Sequence, residues 1–385
     1  MKQVPEILLF LFCLLIIKHD AVSQSKRLKV VFVKDTATNM RNYAEFENIR
    51  FERIDSFART VKYENGLIPL TNTLTQNYTS RIEKLRAIFI WITENIKYDC
   101  AFLNGDRETP EYECEGDSLA CVYGLERWEM KYINHVLQKK KAICQGYSML
   151  LKKMCDISGI ECEILSGFAK TEPYQVGNPF GADHAWNAVR IDGKYYFLDA
   201  TWAAGFCPKC FPNDDLYCKF VKDYSDYYWL TPFDKLMRNH YPSNGRLVIE
   251  NNYTKEKFFN NAFYYSIYAL EHLDILAPNT GVIEAKAGDT IHFRFKYTGP
   301  TIEKIQANTN VWRNPDIYLL KTAANSKRKL EFIHDTIAEK KQVYLPFKKD
   351  GDIYSVDYKI DNSSLYYIDM TFDRQNAMRF KVRIK

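Results

Sequence analysis

No stretch of this 385-residue chain beyond its first two dozen positions approaches the roughly 18 consecutive apolar residues that a membrane-spanning helix needs. A stable membrane anchor is therefore not expected. Charge of one sign is also scarce: 53 Lys and Arg face 48 Asp and Glu, and the densest basic run is Lys139–Lys140–Lys141. That excludes a nucleic-acid-binding reading, which needs a basic stripe or patch. There is no internal repeat and no low-complexity tract. No cluster of Asp and Glu has the spacing of an obligatory calcium loop. With 46% hydrophobic and 26% charged residues, the composition fits neither a disordered chain nor a membrane bundle.

Aromatics are abundant, with 27 Tyr and 24 Phe, which favours strand-rich architecture. The length exceeds what one hydrophobic core usually serves, so at least two domains are expected. At the start, Lys2 precedes an apolar run from Ile7 to Ile17 and then Ala21–Val22–Ser23. This is the pattern of a signal peptide over 1–23, and it places the protein outside the cytoplasm: secreted, periplasmic or at the cell surface. Removing Cys13 with that segment leaves Cys100, Cys114, Cys121, Cys144, Cys155, Cys162, Cys207, Cys210 and Cys218. The count is odd, so at least one thiol stays unpaired. Cys207–Pro208–Lys209–Cys210 with Cys218 could be a zinc corner or a disulfide pair; an oxidising compartment favours disulfides. Cys155 and Cys162 fall on apolar helix and strand positions and read as core.

Residues 24–78 read as a lead-in with a short strand, Val30–Val33, and a helical stretch from Phe51 to Val61. A core helix is predicted over Ser80–Tyr98, where Ile82, Leu85, Ile88, Phe89, Ile92 and Ile96 recur at helical spacing and Ser80 with Glu83 forms a capping-box pattern. Cys100 to Tyr132 reads as loop. A second helix is expected from Cys144 to Gly159, followed by strands over Glu161–Gly167, Ala185–Ile191 and Lys194–Asp199, the last two joined by a tight Asp192–Gly193 turn. Beyond the 79–250 core, Ile291–Phe293–Phe295–Tyr297 and Met378–Phe380–Val382–Ile384 alternate with polar residues. With further runs near 317–320, 330–333, 343–347, 354–360 and 366–372 they predict a β-sandwich over 251–385. The fold class is α+β.

The hairpin also predicts a site. A two-residue turn at Asp192–Gly193 pairs Ile191 with Lys194, so His184 would face Thr201 and Asp199 would be its diagonal neighbour on the same face. An imidazole held by a carboxylate is the base and orienter of thiol catalysis. Cys144 is the nucleophile candidate, because it opens a helix whose dipole, together with Lys139–Lys141, favours thiolate. The first amides of that helix could also hold an oxyanion. Each residue alone has a structural explanation; the combination points to a site.

The stretches Cys144–Gln145–Gly146–Tyr147, His184–Ala185–Trp186–Asn187 and Leu198–Asp199–Ala200–Thr201–Trp202 resemble the three core motifs of the transglutaminase-like superfamily, in that family's order. Lys84–Asp99 is similar to the helix preceding the core. Tyr228–Phe233 and His240–Tyr241–Pro242 resemble the kyphoscoliosis-peptidase branch and its bacterial relatives. The resemblance implies a papain-like core, with Cys144 as nucleophile, His184 as general base and Asp199 as orienter, and Gln145 and Trp186 in the substrate or oxyanion neighbourhood. Gln138 stands six residues before Cys144, the offset of a papain-type oxyanion glutamine. Neither cofactor nor metal is expected. The expected activity is acyl transfer on a protein or peptide substrate, first as peptide or amide hydrolysis and second as transglutamination. In a third reading the sandwich docks to a cell-surface polymer and the core is a scaffold.

Overall fold

A computed structural model describes residues 49–64, 66–103, 111–114, 118–208, 219–243, 253–322 and 330–385. The expected signal peptide, the Val30–Val33 strand, Cys210 and Cys218 lie outside the described residues. The chain separates into two compact units, the smaller taking in Pro315–Gln342 and the larger 49–314 with Val343–Lys385.

In the larger unit, helices α1 (Phe51–Thr60) and α2 (Leu67–Thr75) pack with α3 (Arg81–Asn95) in one core. The expected lead-in thus contributes to the core, because Ile54, Ala58, Leu70 and Leu74 are buried there. Leu85, Ala87, Ile88, Phe89, Trp91 and Ile92 are fully buried on all sides of α3, as befits a helix enclosed by neighbours. Two details differ from expectation. The Ser80 side chain makes no capping bond, and α3 stops at Asn95 because Lys97–Tyr98 leave the helix to pair in parallel with Lys141–Ala142.

The expected loop after Cys100 instead holds α4 (Ser118–Lys139). A Cys114–Cys121 disulfide ties its first turn to the preceding segment. Helical periodicity is diluted there, because Val122 and Tyr123 face solvent while burial begins only with Ile133, Val136 and Leu137. Helix α5 (Cys144–Ile157) ends as its sequence demands: Gly159 adopts φ +71° and the Ile160 amide donates to the Cys155 carbonyl at 2.9 Å.

Against α5 lies an antiparallel sheet of β1 (Glu161–Ala169), β2 (His184–Ile191), β3 (Lys194–Leu198) and β4 (His240–Pro242), in the spatial order β3-β2-β1-β4. The β2–β3 register runs from Ile191↔Lys194 to Asn187↔Leu198, as the turn predicts, with Asp192 and Gly193 at φ +50° and +82°. Leu198 ends the ladder, so Asp199 is not a strand residue diagonal to His184; it caps the short helix Ala200–Ala204.

The C-terminal region is a two-sheet sandwich. One sheet is built from β5 (Leu273–Ala277), β7 (Thr290–Tyr297), β9 (Phe347–Asp350) and β10 (Ile353–Lys359), and the other from β6 (Val282–Ala285), β8 (Ile305–Thr309), β11 (Tyr367–Phe372) and β12 (Gln375–Ile384). Phe293 and Phe295 of the first sheet meet Phe380 and Phe372 of the second at ring-centroid separations of 5.0 and 4.8 Å. The alternation predicted for β7 and β12 is the one observed. Strand β8 escaped it because both its faces are buried, with Gln306, Asn308 and Thr309 as interior polar residues. Asn308 satisfies its amide on Thr371 and on Asn314.

In the smaller unit, the runs expected as sandwich strands near 317 and 330 pair with each other, Tyr318–Thr322 against Leu330–His334. A short helix follows, Thr336–Lys340, capped by Asp335 through the Ile337 and Ala338 amides.

Candidate active site

The site forms where three elements end: the N-terminus of α5, the start of β2 and the cap after β3. His184 begins β2 opposite Gly167 of β1. Its Nε2 lies 2.7 Å from Asp199 Oδ2, which leaves Nδ1 for the thiol. Cys144 is half-buried and outside any disulfide, and its sulfur is near enough to His184 to favour the charged imidazole. The structure therefore brings Cys144, His184 and Asp199 together, by a cap rather than by the ribbon diagonal.

Asp199 has no exposed surface. Its Oδ1 accepts from the amides of Thr201 (2.8 Å) and Trp202 (3.1 Å), as an N-cap side chain should. Its Oδ2 accepts from His184 and from a second imidazole, His240 Nε2, at 3.0 Å. Burial disfavours the carboxylate, but the charge and hydrogen bond of His184 and the His240 bond together hold it well below the usual carboxylate range. Burial likewise opposes a charged His184. The Asp199 carboxylate and the Cys144 sulfur overcome it and raise the imidazole to about 10.

Aromatic rings enclose the pair. Trp202 lies 5.2 Å and Trp186 5.8 Å from the His184 ring. Trp186 is 1% exposed and forms part of the wall beside His184. Two glycines permit the close packing. A Cβ at Gly167 would stand 2.7 Å from the Trp186 ring, and one at Gly146 would stand 2.8 Å from the Ala142 Cβ and 3.1 Å from the Tyr132 hydroxyl. The glycine after Cys144–Gln145 thus lets α4 approach the start of α5.

The other expected site residues are placed as follows. Gln145 sits in the first turn of α5, its Oε1 buried without a hydrogen-bond partner. Gln138 is exposed on α4 beside Lys131, Asn134 and His135 and makes no hydrogen bond with the cluster. Lys139 and Lys140 are exposed, and the Lys141 ammonium is engaged by Asp99 at 2.7 Å. The α5 N-terminus and the His184 cation are therefore the positive groups next to the sulfur. Residues with no expected role also face the cluster: Tyr98 and Tyr132, both near Cys144 and both pushed up by burial, Tyr132 to about 12, and His240, fully buried on β4. His240 stood in a quoted motif, but nothing local in the sequence tied it to Asp199.

The ring nitrogens of His184 and His240 and an Asp199 oxygen lie within 4.8 Å of one another, a spacing a metal ion could bridge. Both Nε2 atoms already donate to the same Oδ2, and that accounts for the arrangement as a hydrogen-bonded cluster.

Residues 68–200 match the family model described as the transglutaminase-like superfamily. The chain carries a transglutaminase-like core. Kyphoscoliosis peptidase of Homo sapiens is 28% identical over 242 residues, covering 62% of this chain and 33% of that protein. Hillarin of Drosophila melanogaster is 28% identical over 237 residues, covering 57% of this chain and 25% of that protein. The chain thus spans a third or less of the length of these relatives. A solved structure titled "Crystal structure of a TGase" is 17% identical over 51% of this chain and 41% of that one, with a TM-score of 0.25. Cys207, by contrast, has a definite partner, Cys100. Of the two alternatives for the CxxC segment, this cysteine takes the disulfide, though with a thiol outside the segment.

Proposed function

We propose that the chain is a thiol-nucleophile acyl-transfer enzyme that hydrolyses peptide or amide bonds outside the cytoplasm. The observation that carries this reading is one imidazole bonded to a buried carboxylate and electrostatically coupled to a cysteine outside any disulfide. In the ion-pair form, the Cys144 thiolate attacks the carboxamide carbon and the carbonyl oxygen becomes an oxyanion. The first amides of α5, which have no acceptor within the helix, are suited to stabilise it. As the C–N bond breaks, His184 gives its proton to the leaving amine and a thioester remains on Cys144. Neutral His184 then takes a proton from water, the hydroxide oxygen adds to the thioester carbon, and release of the acid restores the ion pair. One of the relatives reported above is named a peptidase, which supports hydrolysis over crosslinking.

The extracytoplasmic placement is supported by the apolar leader and by the Cys100–Cys207 and Cys114–Cys121 disulfides, which persist in oxidising compartments. Mass spectrometry of the exported protein should find its N-terminus near residue 24; retention of residues 1–23 on a cytoplasmic product would contradict the placement.

The activity test is peptide or amide turnover by the folded chain. Cys144→Ala should lower it at least about a thousandfold. An unchanged rate would sink the thiol mechanism. Incorporation of a labelled primary amine faster than hydrolysis would reassign the chain to crosslinking.

A further inference from the structure

We propose that His240 is a positioning residue of this site: a neutral imidazole that donates from Nε2 to Asp199 Oδ2 and fixes the carboxylate against which His184 turns. The proposal rests on reading Cys144, His184 and Asp199 as the acyl-transfer site.

The geometry assigns the protons. His240 is completely buried on β4, which pairs with β1 on the edge opposite β2, so two strands deliver two imidazoles to one carboxylate. Nε2 is 3.0 Å from an ionised oxygen and must carry a hydrogen there. Nδ1 is 2.7 Å from Asn239 Oδ1 and Asn239 Nδ2 is 3.0 Å from the Tyr228 hydroxyl, an amide orientation that a neutral His240 reverses. A hydrogen on both nitrogens would make His240 a second cation, 5.3 Å from the His184 ring on the same buried carboxylate. Burial and the His184 charge both hold His240 below its ordinary value, so the ring is neutral and Nδ1 is an acceptor.

The two ends of an amide are isosteric. With the Asn239 NH2 turned toward Nδ1, its oxygen accepts from Tyr228 and every group is satisfied. The result is a directed chain: Tyr228 hydroxyl to Asn239, Asn239 to His240, His240 to Asp199. During turnover His184 alternates between cation and neutral ring, whereas the His240 donor does not change. It keeps Oδ2 stabilised and in place at the moment the His184 cation is lost. The other titratable groups facing the cluster are Cys144 and Tyr147 of α5, Tyr132 of α4, Tyr98 from the preceding strand pair, and Asp183 just before β2.

The test reads Cys144 itself rather than turnover. Iodoacetamide alkylation of Cys144 is followed against pH in the full chain, with folding checked by circular dichroism. His240→Leu should slow alkylation at neutral pH about tenfold, the range for loss of a group that orients a reactive one, and move the acidic limb of the profile upward by about one pH unit. His240→Gln, whose amide N–H overlays Nε2–H, should recover most of the rate and the limb. A merely structural histidine would lower stability yet leave the rate and limb of the folded fraction unchanged. That result, or failure of Gln to exceed Leu, overturns the proposal. If His240→Leu does not fold, Tyr228→Phe should show a smaller shift in the same direction, and no shift there overturns the proposal equally. The underlying reading fails separately, if His184→Ala and Asp199→Asn alkylate like the unmodified protein.

Discussion

Four donors occupy the two oxygens of Asp199, about as many as a carboxylate has lone-pair sites. For a group with no exposed surface these bonds and the His184 cation must offset the full cost of leaving water. The benefit is mutual, since the carboxylate is the leading cause that raises His184 from its ordinary 6.5 to about 10. Its folded value lies above its unfolded one, so this contribution to stability is complete below pH 6.5 and is lost as the pH rises through about 10. Asp199→Asn removes the leading cause that raises His184 and leaves burial, which pushes the imidazole down, opposed by the Cys144 sulfur. The variant's His184 should titrate well below about 10, and the fall in stability across the alkaline range should shrink. Nuclear magnetic resonance of labelled imidazole carbons against pH checks the first point. A midpoint remaining above about 8 would show that something other than Asp199 holds the proton.

The elements around the site are aligned by a second buried charge. Arg86 of α3 is 3% exposed. It donates to both oxygens of Asp55 on α1 and to Asp226, each at 2.7 Å. Its guanidinium also lies 5.1 Å from the Phe51 ring and 5.0 Å from the Trp229 ring. Asp226 begins the turn that carries Tyr228, and the Tyr228 carbonyl accepts from the Asp199 amide at 3.0 Å. Arg86 thus holds the backbone on which the Asp199 carboxylate rests. Arg86→Ala strands a buried carboxylate and should cost roughly 3–5 kcal/mol in chemical denaturation; a loss below about 1 kcal/mol would put the pair in the class of surface bridges.

Such long-range ties mark the limit of what the sequence discloses. Local signals were legible: the Asp192–Gly193 turn set the register of β2 on β3, and Gly159 ended α5. That Cys144, His184 and Asp199 lie together was legible through motif order, but the geometry was misjudged because Asp199 leaves the ladder to cap a helix. Helix α4 was hidden by its exposed apolar residues, and β8 by its buried polar ones. His240 stands 41 residues from Asp199 in sequence, on a three-residue strand whose pairing no periodicity announces.

At the scale of the whole molecule, the Cys100–Cys207 disulfide joins the two flanks of the site. Cys100 directly follows Asp99, beyond the strand pair that leads into Cys144, and Cys207 lies just past the helix that Asp199 caps. The bridge spans 107 residues, whereas Cys114–Cys121 spans 7. Loop-closure entropy grows with the logarithm of that span, which gives about 5 kcal/mol for the long loop and about 2 for the short one. The two bridges should therefore respond unequally to replacement. Denaturant titration of a Cys100→Ser, Cys207→Ser double variant should show the larger loss of stability, and its Cys144 should alkylate more slowly because both walls of the site are loosened. A Cys114→Ser, Cys121→Ser variant should keep the alkylation rate of the unmodified protein. Equal losses from the two variants, or an unimpaired site without the long bridge, would mean that hydrophobic packing alone holds Cys144 and Asp199 in register and that the disulfide constrains only the unfolded chain.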